Sequence, residues 1–323
     1  ILSGTTSFLN WLELLWVCRG KNQLSGDELM IRETMWCKSA SPFEIHHILT
    51  GLDKCPATMI ENELILPQGE GPFGCVVALH GSKGWADHHQ DHINGWLDAG
   101  LAVCKVNSFT SREIDSTVDD QLSVTHAMML VDVFRTRSAL AKDPRIGKIG
   151  ISGWSLGGTV ALYSAWSPII EILGSPFDAH VPFYPAAHIR PDIKKWSESP
   201  ILILHGDADD WTPLHLVEAL MPQFPNATLQ VYPGAHHSFD GTKELTWIPK
   251  AVRLRKRTAR IDKNGNMSGK LFLGIRLPLN ERWQRRWIIR ILRNRGAHVE
   301  GNPAARADSL ERAKQFLIDT VGN

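Results

Sequence analysis

The 323-residue sequence is 43% hydrophobic and 21% charged with a net charge of +1, a composition that supplies a large buried core and excludes disordered and collagen-like chains. The charge is divided along the chain: residues 241–323 hold 19 Lys and Arg against 7 Asp and Glu, and the first 240 hold 16 against 27. Such a basic segment is a candidate patch for an anionic membrane or nucleic acid, but nearly equal and opposite halves are expected to compensate each other internally.

The chain begins at Ile1 with no Met, as expected of a missing or processed start. The stretch "FLNWLELLWVC" near the N-terminus carries Glu13, lacks a basic leader and falls short of the roughly 20 residues of a membrane span, so it reads as an amphipathic packed helix. No other segment suits a bilayer. Cys18, Cys37, Cys55, Cys75 and Cys104 form an odd set without C-x-x-C spacing, which indicates neither a disulfide framework nor a zinc site. The compartment stays open, with a soluble, cytoplasmic setting favoured over a periplasmic or secreted one.

From about residue 59, short β-branched runs alternate with longer amphipathic stretches, the pattern of a parallel sheet with crossover helices. Strands are expected at 59–67, 74–81 and 101–109, with a helix at 85–100 closed by Gly100. A long helix follows at 123–143, ended before Pro144, and 146–152 returns to the sheet. After it come a helix at 156–166, a strand at 179–187, a strand and loop at 200–210, a helix at 214–224 and a last strand at 227–237. Residues 307–321 close the chain as an amphipathic helix. Between them, "RLRKRTAR" (253–260) and "RWQRRWIIRILRNR" (282–295) mix basic residues with Trp and Ile. That mixture suits a membrane-surface or nucleic-acid arm, but the preferred reading is a helix packing Trp287, Ile288, Ile291 and Leu292 on the acidic body.

Gly153-Trp154-Ser155-Leu156-Gly157 fits G-x-S-x-G. The motif is steric in origin: a chain that leaves a strand and enters a helix in one sharp turn strains the central residue, and its neighbours two away must lack a Cβ. "KIGIS" before it and "LGGTVALYSAW" after it supply the strand and the helix, so Ser155 is the candidate nucleophile at a helix N-terminus, where an oxyanion is favoured. Ser152 falls within the strand and reads as structural. A serine hydroxyl needs a base, and the base an orienting carboxylate. "ILILHGDADDWTP" and "LQVYPGAHHSFD" offer them in the order Ser, acid, His, each after a later strand.

With these segments the sequence resembles the dienelactone hydrolase-like branch of the α/β-hydrolases, from about residue 59 to 240 and again in "RADSLERAKQFL". The matching parts are "LHGSKG" (79–84), "VNSFTSREI" (106–114), "GWSLGG" (153–158), "HGDADDWTP" (205–213) and "YPGAHHSFD" (232–240). The resemblance implies an α/β fold of the α/β-hydrolase type, with a mostly parallel central sheet and helices on both faces. It selects Asp209 over Asp207 and Asp210 as the acid and His237 over His236 as the base. The losers read as loop hydrogen-bond acceptors and, for His236, as a packing or pocket-wall residue. The Leu156 N–H, next after the nucleophile, is one oxyanion donor, and the resemblance supplies that of Ser82 as the other. Two departures stand out. Dienelactone hydrolases proper carry a Cys nucleophile and a Glu in the loop after the first central strand, where this chain has Ser155 and "HGSKG", so ester or lactone hydrolysis is expected to resist thiol reagents.

Other residues invite roles. Arg112 is a candidate for binding a substrate carboxylate, with ion pairs to Glu113 or Asp115 as the alternative. Trp85, Trp154 and Trp211 flank the three loops and are candidates for an aromatic pocket, or plain core. His88 and His92 have a metal-like i, i+4 spacing, but without a third ligand they read as a solvated helix face.

The expected organisation is an N-terminal extension over residues 1–55, partly helical, and a single α/β-hydrolase domain over 56–323 with a basic insertion at about 241–306. The expected function is a serine hydrolase of small-molecule esters or lactones, with no metal or organic cofactor and no nucleic-acid partner. Acyl transfer or peptide hydrolysis by the same three residues, or surface binding through residues 253–295, are the alternatives.

Overall fold

A computed structural model describes residues 30–253, 258–270, 274–292 and 294–322; the stretch at 7–18, with Cys18, lies outside them. In chain order the body contains β1 (Ile31–Ala40), α1 (Ile45–Gly51), β2 (Ala57–Leu66), β3 (Phe73–Leu79), α2 (Asp87–Asp98), β4 (Ala102–Val106) and α3 (His126–Leu140). It continues with β5 (Ile146–Trp154), α4 (Leu156–Tyr163), α5 (Ser167–Leu173), β6 (Ala179–Phe183), β7 (Ile189–Pro191), β8 (Ile201–Gly206), α6 (Leu214–Glu218) and β9 (Ala227–Tyr232).

Eight strands form one sheet in the order β1-β2-β4-β3-β5-β6-β8-β9. The pairs β1–β2 and β2–β4 are antiparallel, and every later pair is parallel. The central strands are apolar without alternation because both faces are covered: six of the seven residues of β3 are buried. One face packs against α3 and α4, the other against α2 and the last helix, α8 (Pro303–Val321). Helix starts are fixed locally: Thr125 Oγ1 accepts from Met128 N, and Asn302 Oδ1 accepts from Ala305 N at 3.0 Å. Among the described residues no helix is long and apolar enough to cross a membrane.

Two parts of the architecture differ from the sequence expectation. Residues 31–55 are not separate from the domain: β1 pairs with β2 over ten residues, from Ile31 with Leu66 to Ala40 with Ala57. Met35, Cys37 and Ser39 alternate inward, and Trp36 and Lys38 outward, a period-two pattern that reads as a half-buried strand. The second difference is the basic insertion, in which short strands that the sequence did not mark accompany the expected helix. It comprises β10 (Thr246–Arg253), β11 (Ala259–Ile261), β12 (Met267–Lys270), β13 (Arg276–Pro278), α7 (Arg282–Leu292) and β14 (Asn294–Val299). β10 pairs with β14, and β11 to β13 extend from β7 of the body. The insertion therefore shares backbone hydrogen bonds with the body, and Val118 and Trp211 join Ala251, Ala297 and Val299 in a small apolar cluster between them.

The register aligns the carboxyl ends of the parallel strands. Leu79 of β3 pairs with Gly153 of β5, Trp154 with Phe183 of β6, and Gly206 of β8 with Tyr232 of β9. The loops after these strands open on the same edge, which is where open parallel sheets hold their sites. A Cβ on Gly157 would lie 2.5 Å from the Leu79 carbonyl oxygen, with the body's central backbone behind it. Gly157→Ala is expected to destabilise the fold by about 1–3 kcal/mol or more, read as a lower urea midpoint; a midpoint within error of wild type would refute this close approach.

Candidate active site

Ser155 joins β5 to α4 as the N-cap of that helix, with φ 55° and ψ −108°. A non-glycine residue holds this left-handed conformation only when its surroundings impose it. Its N–H donates to the Phe183 carbonyl at 3.0 Å and its carbonyl accepts from Thr159 N at 2.8 Å. The glycines supply the space: a Cβ on Gly153 would come within 2.5 Å of the Gly157 backbone, and one on Gly158 within 2.3 Å of the Phe183 oxygen. Ser152, by contrast, is buried in the strand with its hydroxyl on the Val181 carbonyl.

The Ser155 hydroxyl lies 2.9 Å from His237 Nε2, and His237 Nδ1 lies 2.7 Å from Asp209 Oδ2. Asp209 therefore accepts the Nδ1 proton and leaves Nε2 free to accept from serine. The carboxylate is fully engaged: Oδ1 accepts from the Trp211 and Thr212 N–H groups, each at 2.8 Å, and the Thr212 hydroxyl lies 2.8 Å from Oδ2. Burial on its own would raise the Asp209 pKa, but His237 and these donors outweigh it and hold the carboxyl below its ordinary value. Gly206 lets the acid and base loops meet, since a Cβ there would fall 2.1 Å from the Ala235 oxygen. The rings of Tyr184 and Trp211 pack on His237 with centroids at 4.7 and 4.9 Å.

Ser155 opens onto two cavities of about 170 and 210 Å³, and Ser82 and Trp211 border both. The smaller is largely apolar and lies under the insertion, with Leu156, Ile189, Val252, Met267, Leu279 and Ile288 in its wall. The larger is also mainly apolar, but has the charged side chains of Lys83, Asp87, Lys243 and Glu300 and the His88 ring around it. Partial burial and the neighbouring charge of Lys243 lower the Lys83 pKa. Gly81 brings the β3 loop against the elbow, its Cβ position 3.6 Å from Ser155 Cβ, and the Ser82 carbonyl is held by Thr117 N at 2.9 Å. Leu156 is the first residue of α4, where a backbone N–H has no partner within the helix.

The dienelactone hydrolase family matches residues 67–257, more than half of the chain. The chain belongs to the dienelactone hydrolase family. It is a hydrolase of the α/β-hydrolase fold, similar in structure to a dienelactone hydrolase-like promiscuous phosphotriesterase from metagenomic libraries (TM-score 0.54, 16% identity, covering 90% of this chain and 99% of that one). An acetyl xylan esterase from Paenibacillus sp. R4 aligns with TM-score 0.51 and 15% identity over 70% of this chain and 84% of its own. Est1E from Butyrivibrio proteoclasticus aligns with TM-score 0.45 and 18% identity over 57% and 88%. At these identities the likeness is one of fold. A comparison with curated proteins by sequence finds no match.

In this dienelactone hydrolase-family chain, Ser155, Asp209 and His237 meet as one hydrogen-bonded series, with Ser82 and Leu156 beside the serine. Of the three tryptophans, only Trp211 presents its ring to the site: it packs on His237, and its Nε1 donates to the Val252 carbonyl of the insertion. Trp154 borders the cavity of Lys83 and Lys243, but its ring is fully buried, stacked on His89 and hydrogen-bonded to Asp240 at 2.9 Å. Trp85 donates to Asn107 Oδ1 and borders neither cavity. His236 faces Glu300 and His298, outside both cavities.

Arg112 is not a substrate ligand in this arrangement. Its guanidinium grips Asp132 of α3 with Nη1–Oδ2 at 2.7 Å and Nη2–Oδ1 at 3.0 Å, and the carboxylate also takes the Ser39 and Ser108 hydroxyls. The partner lies 20 residues away and is fully buried; the guanidinium pairs with it and not with the neighbouring Glu113 or Asp115. His88 and His92 are not a solvated face either: His92 is buried with Nε2 3.2 Å from Asp240, and His88 stands 3.9 Å from it. Among the described residues no group of three His, Cys, Asp or Glu could hold a metal. Asp207 accepts from Gly234 N, and Asp210 takes Arg253 at 2.6 Å and His298 Nδ1 at 3.1 Å, which fastens the insertion to the acid loop.

Sequence reading missed Thr212 and Tyr184, and all the cavity wall from the insertion. The Thr212 position was legible, two residues before the helix that follows "HGDADDWTP"; the insertion's wall had no motif to mark it.

Arg112→Ala is expected to lower unfolding stability by about 3–5 kcal/mol, because it strands a buried carboxylate. Urea titration measures it, and a selective rise in KM for anionic esters at unchanged stability would overturn the structural role. A second expectation concerns pH. Burial would raise the pKa of Glu44, but Arg285 of α7 and His126 outweigh it and hold the carboxyl at about 2, against 4.5 normally. The stabilisation is complete above the ordinary value and disappears as pH falls through the lowered one. Amide protection in α7, corrected for the pH dependence of intrinsic exchange, should fall between about pH 4.5 and 2, and Glu44→Gln should lose most of that acid response.

Proposed function

We propose that the protein is a serine hydrolase that cleaves carboxylic esters or lactones through an acyl-enzyme. One observation carries the reading: the hydrogen-bonded series Ser155–His237–Asp209, at 2.9 and 2.7 Å, begins on a strained elbow that opens into a two-lobed cavity. Ser155 Oγ attacks the carbonyl carbon while His237 Nε2 takes its proton, and Asp209 holds the imidazole in the productive tautomer. The Leu156 and Ser82 N–H groups receive the oxyanion. When the tetrahedral species collapses, the C–O bond to the alcohol breaks and His237 returns its proton to the departing oxygen. Water, deprotonated by His237, then splits the acyl–serine ester and releases the acid. In a lactone, acid and alcohol leave as one hydroxy-acid.

The two lobes suggest a division of the substrate. The apolar lobe suits the hydrocarbon part, and the lobe with Lys83 and Lys243 suits a polar or acidic part. A nucleophilic serine also predicts insensitivity to thiol reagents, because Cys37, Cys75 and Cys104 are buried and Cys55 borders neither cavity.

A panel of p-nitrophenyl esters of graded acyl length, a lactone and a p-nitrophenyl phosphotriester tests the reading. Ser155→Ala is expected to reduce kcat on the preferred ester by about 10⁴–10⁶ and Asp209→Asn by about 10⁴, while iodoacetamide leaves the wild type active. Equal turnover by wild type and Ser155→Ala would refute it.

A further inference from the structure

Helix α7 has two faces in different company. Its inner face packs on the body: Ile288 is buried, Ile288 and Ile289 wall the apolar cavity, and Arg285 pairs with Glu44. Its outer face, formed by residues that neighbour each other at i, i+3 and i+4, carries Trp283, Arg286, Trp287 and Arg290. Trp287 is therefore not packed on the acidic body, as its sequence setting suggested. It is 53% exposed and Trp283 70%. The side chains of Ile291 and Leu292 lie outside the described residues.

The arginines of the insertion divide in the same way. Arg253, Arg260 and Arg285 are taken up by Asp210, Asp192 and Glu44 of the body, which is the internal compensation that the charge division implies. Arg286 and Arg290 are exposed and border a depression shared with Asp119 and Asp120 of the body, although among the described residues neither has an acidic group within ion-pair distance. The surrounding segment, residues 246–299, holds 15 Lys and Arg against 2 Asp and Glu. Two exposed arginines without an ion-pair partner, beside two large exposed indoles, call for an anionic and partly apolar counterpart.

We infer that the outer face of α7 docks on an anionic phospholipid surface. Indoles favour the headgroup boundary, where the ring leaves water and the N–H keeps a partner. Arginines one turn along meet the phosphates, and an amphipathic helix lying flat buries such a face a few Å deep. Single-stranded nucleic acid also stacks on aromatic rings, but it is held in a groove that tracks its backbone, whereas these rings project from a helix ridge. Because the inner face of the same helix walls the cavity of Ser155, a docked membrane would lie about one helix diameter, ~10 Å, from the site. Docking does not depend on the hydrolase reading, although together they would direct the enzyme to amphiphilic esters.

The test is vesicle co-sedimentation of the full chain as Ser155→Ala, with phosphatidylcholine alone and with about a third phosphatidylglycerol added, alongside tryptophan emission. Expected are capture by the anionic vesicles at low salt, loss at high salt, and a blue shift on binding. Arg286→Gln with Arg290→Gln should weaken partitioning about 30-fold, and Trp283→Ala with Trp287→Ala should abolish the blue shift. Circular dichroism checks that both variants fold, and in the Ser155 background both should turn over a soluble short-chain ester at the wild-type rate. The inference fails if anionic vesicles capture nothing at low salt, if the variants bind as the parent does, if DNA or RNA is bound more tightly than vesicles, or if the tryptophans instead hold a dimer that ignores vesicles. If docking is seen but Ser155 proves irrelevant to turnover, only the hydrolase reading falls.

Discussion

The fold and the site both hinge on the left-handed turn at Ser155. A strand that must enter a helix in a single residue leaves no room on either side, and Gly153, Gly157 and Gly158 each occupy a point where a Cβ would meet backbone at 2.5 Å or less. The same crowding packs α4 against the sheet and lifts the serine side chain off the strand end. The strain is held by ordinary backbone hydrogen bonds to Phe183 and Thr159, so removing the serine hydroxyl need not relax the turn.

Around that turn, buried carboxylates take three separate roles. Asp209 orients His237. Asp240 takes Trp154 Nε1 and the Tyr184 hydroxyl, at 2.9 and 2.8 Å, and so braces the residue before Ser155 and the ring packed on His237. Asp132 gathers Arg112, Ser39 and Ser108 on the opposite side of the sheet. Each is fully partnered, which is the condition for keeping a charge away from water.

The insertion adds a wall to a site at the edge of the sheet. Its strands continue from β7, its Arg253 is fixed by Asp210 next to the triad-type acid, and its helix lines the apolar cavity. The cavity wall and the exposed Trp283 and Trp287 therefore belong to one segment. The wall comes from residues with no motif of their own, so the family's loops alone say little about what fits.

What the amino-acid order determined was local: the parallel-sheet alternation, the strand-turn-helix at Ser155, and the order Ser, acid, His on loops after successive strands. Those features rest on periodicity, backbone sterics and chain direction, which act over a few residues and can be read directly. The β1 pairing was also latent in the alternation of Met35, Cys37 and Ser39, but a half-buried strand next to polar residues leaves a faint pattern. Tertiary structure alone decided the partners of Arg112, His92 and Asp210, the insertion's wall of the cavity, and the outward placement of Trp283 and Trp287. These are contacts between residues 20 to more than 200 positions apart, as in Arg112 with Asp132 and Arg285 with Glu44. Charge and hydrophobicity say that such residues need partners; only the folded chain says which ones are within reach.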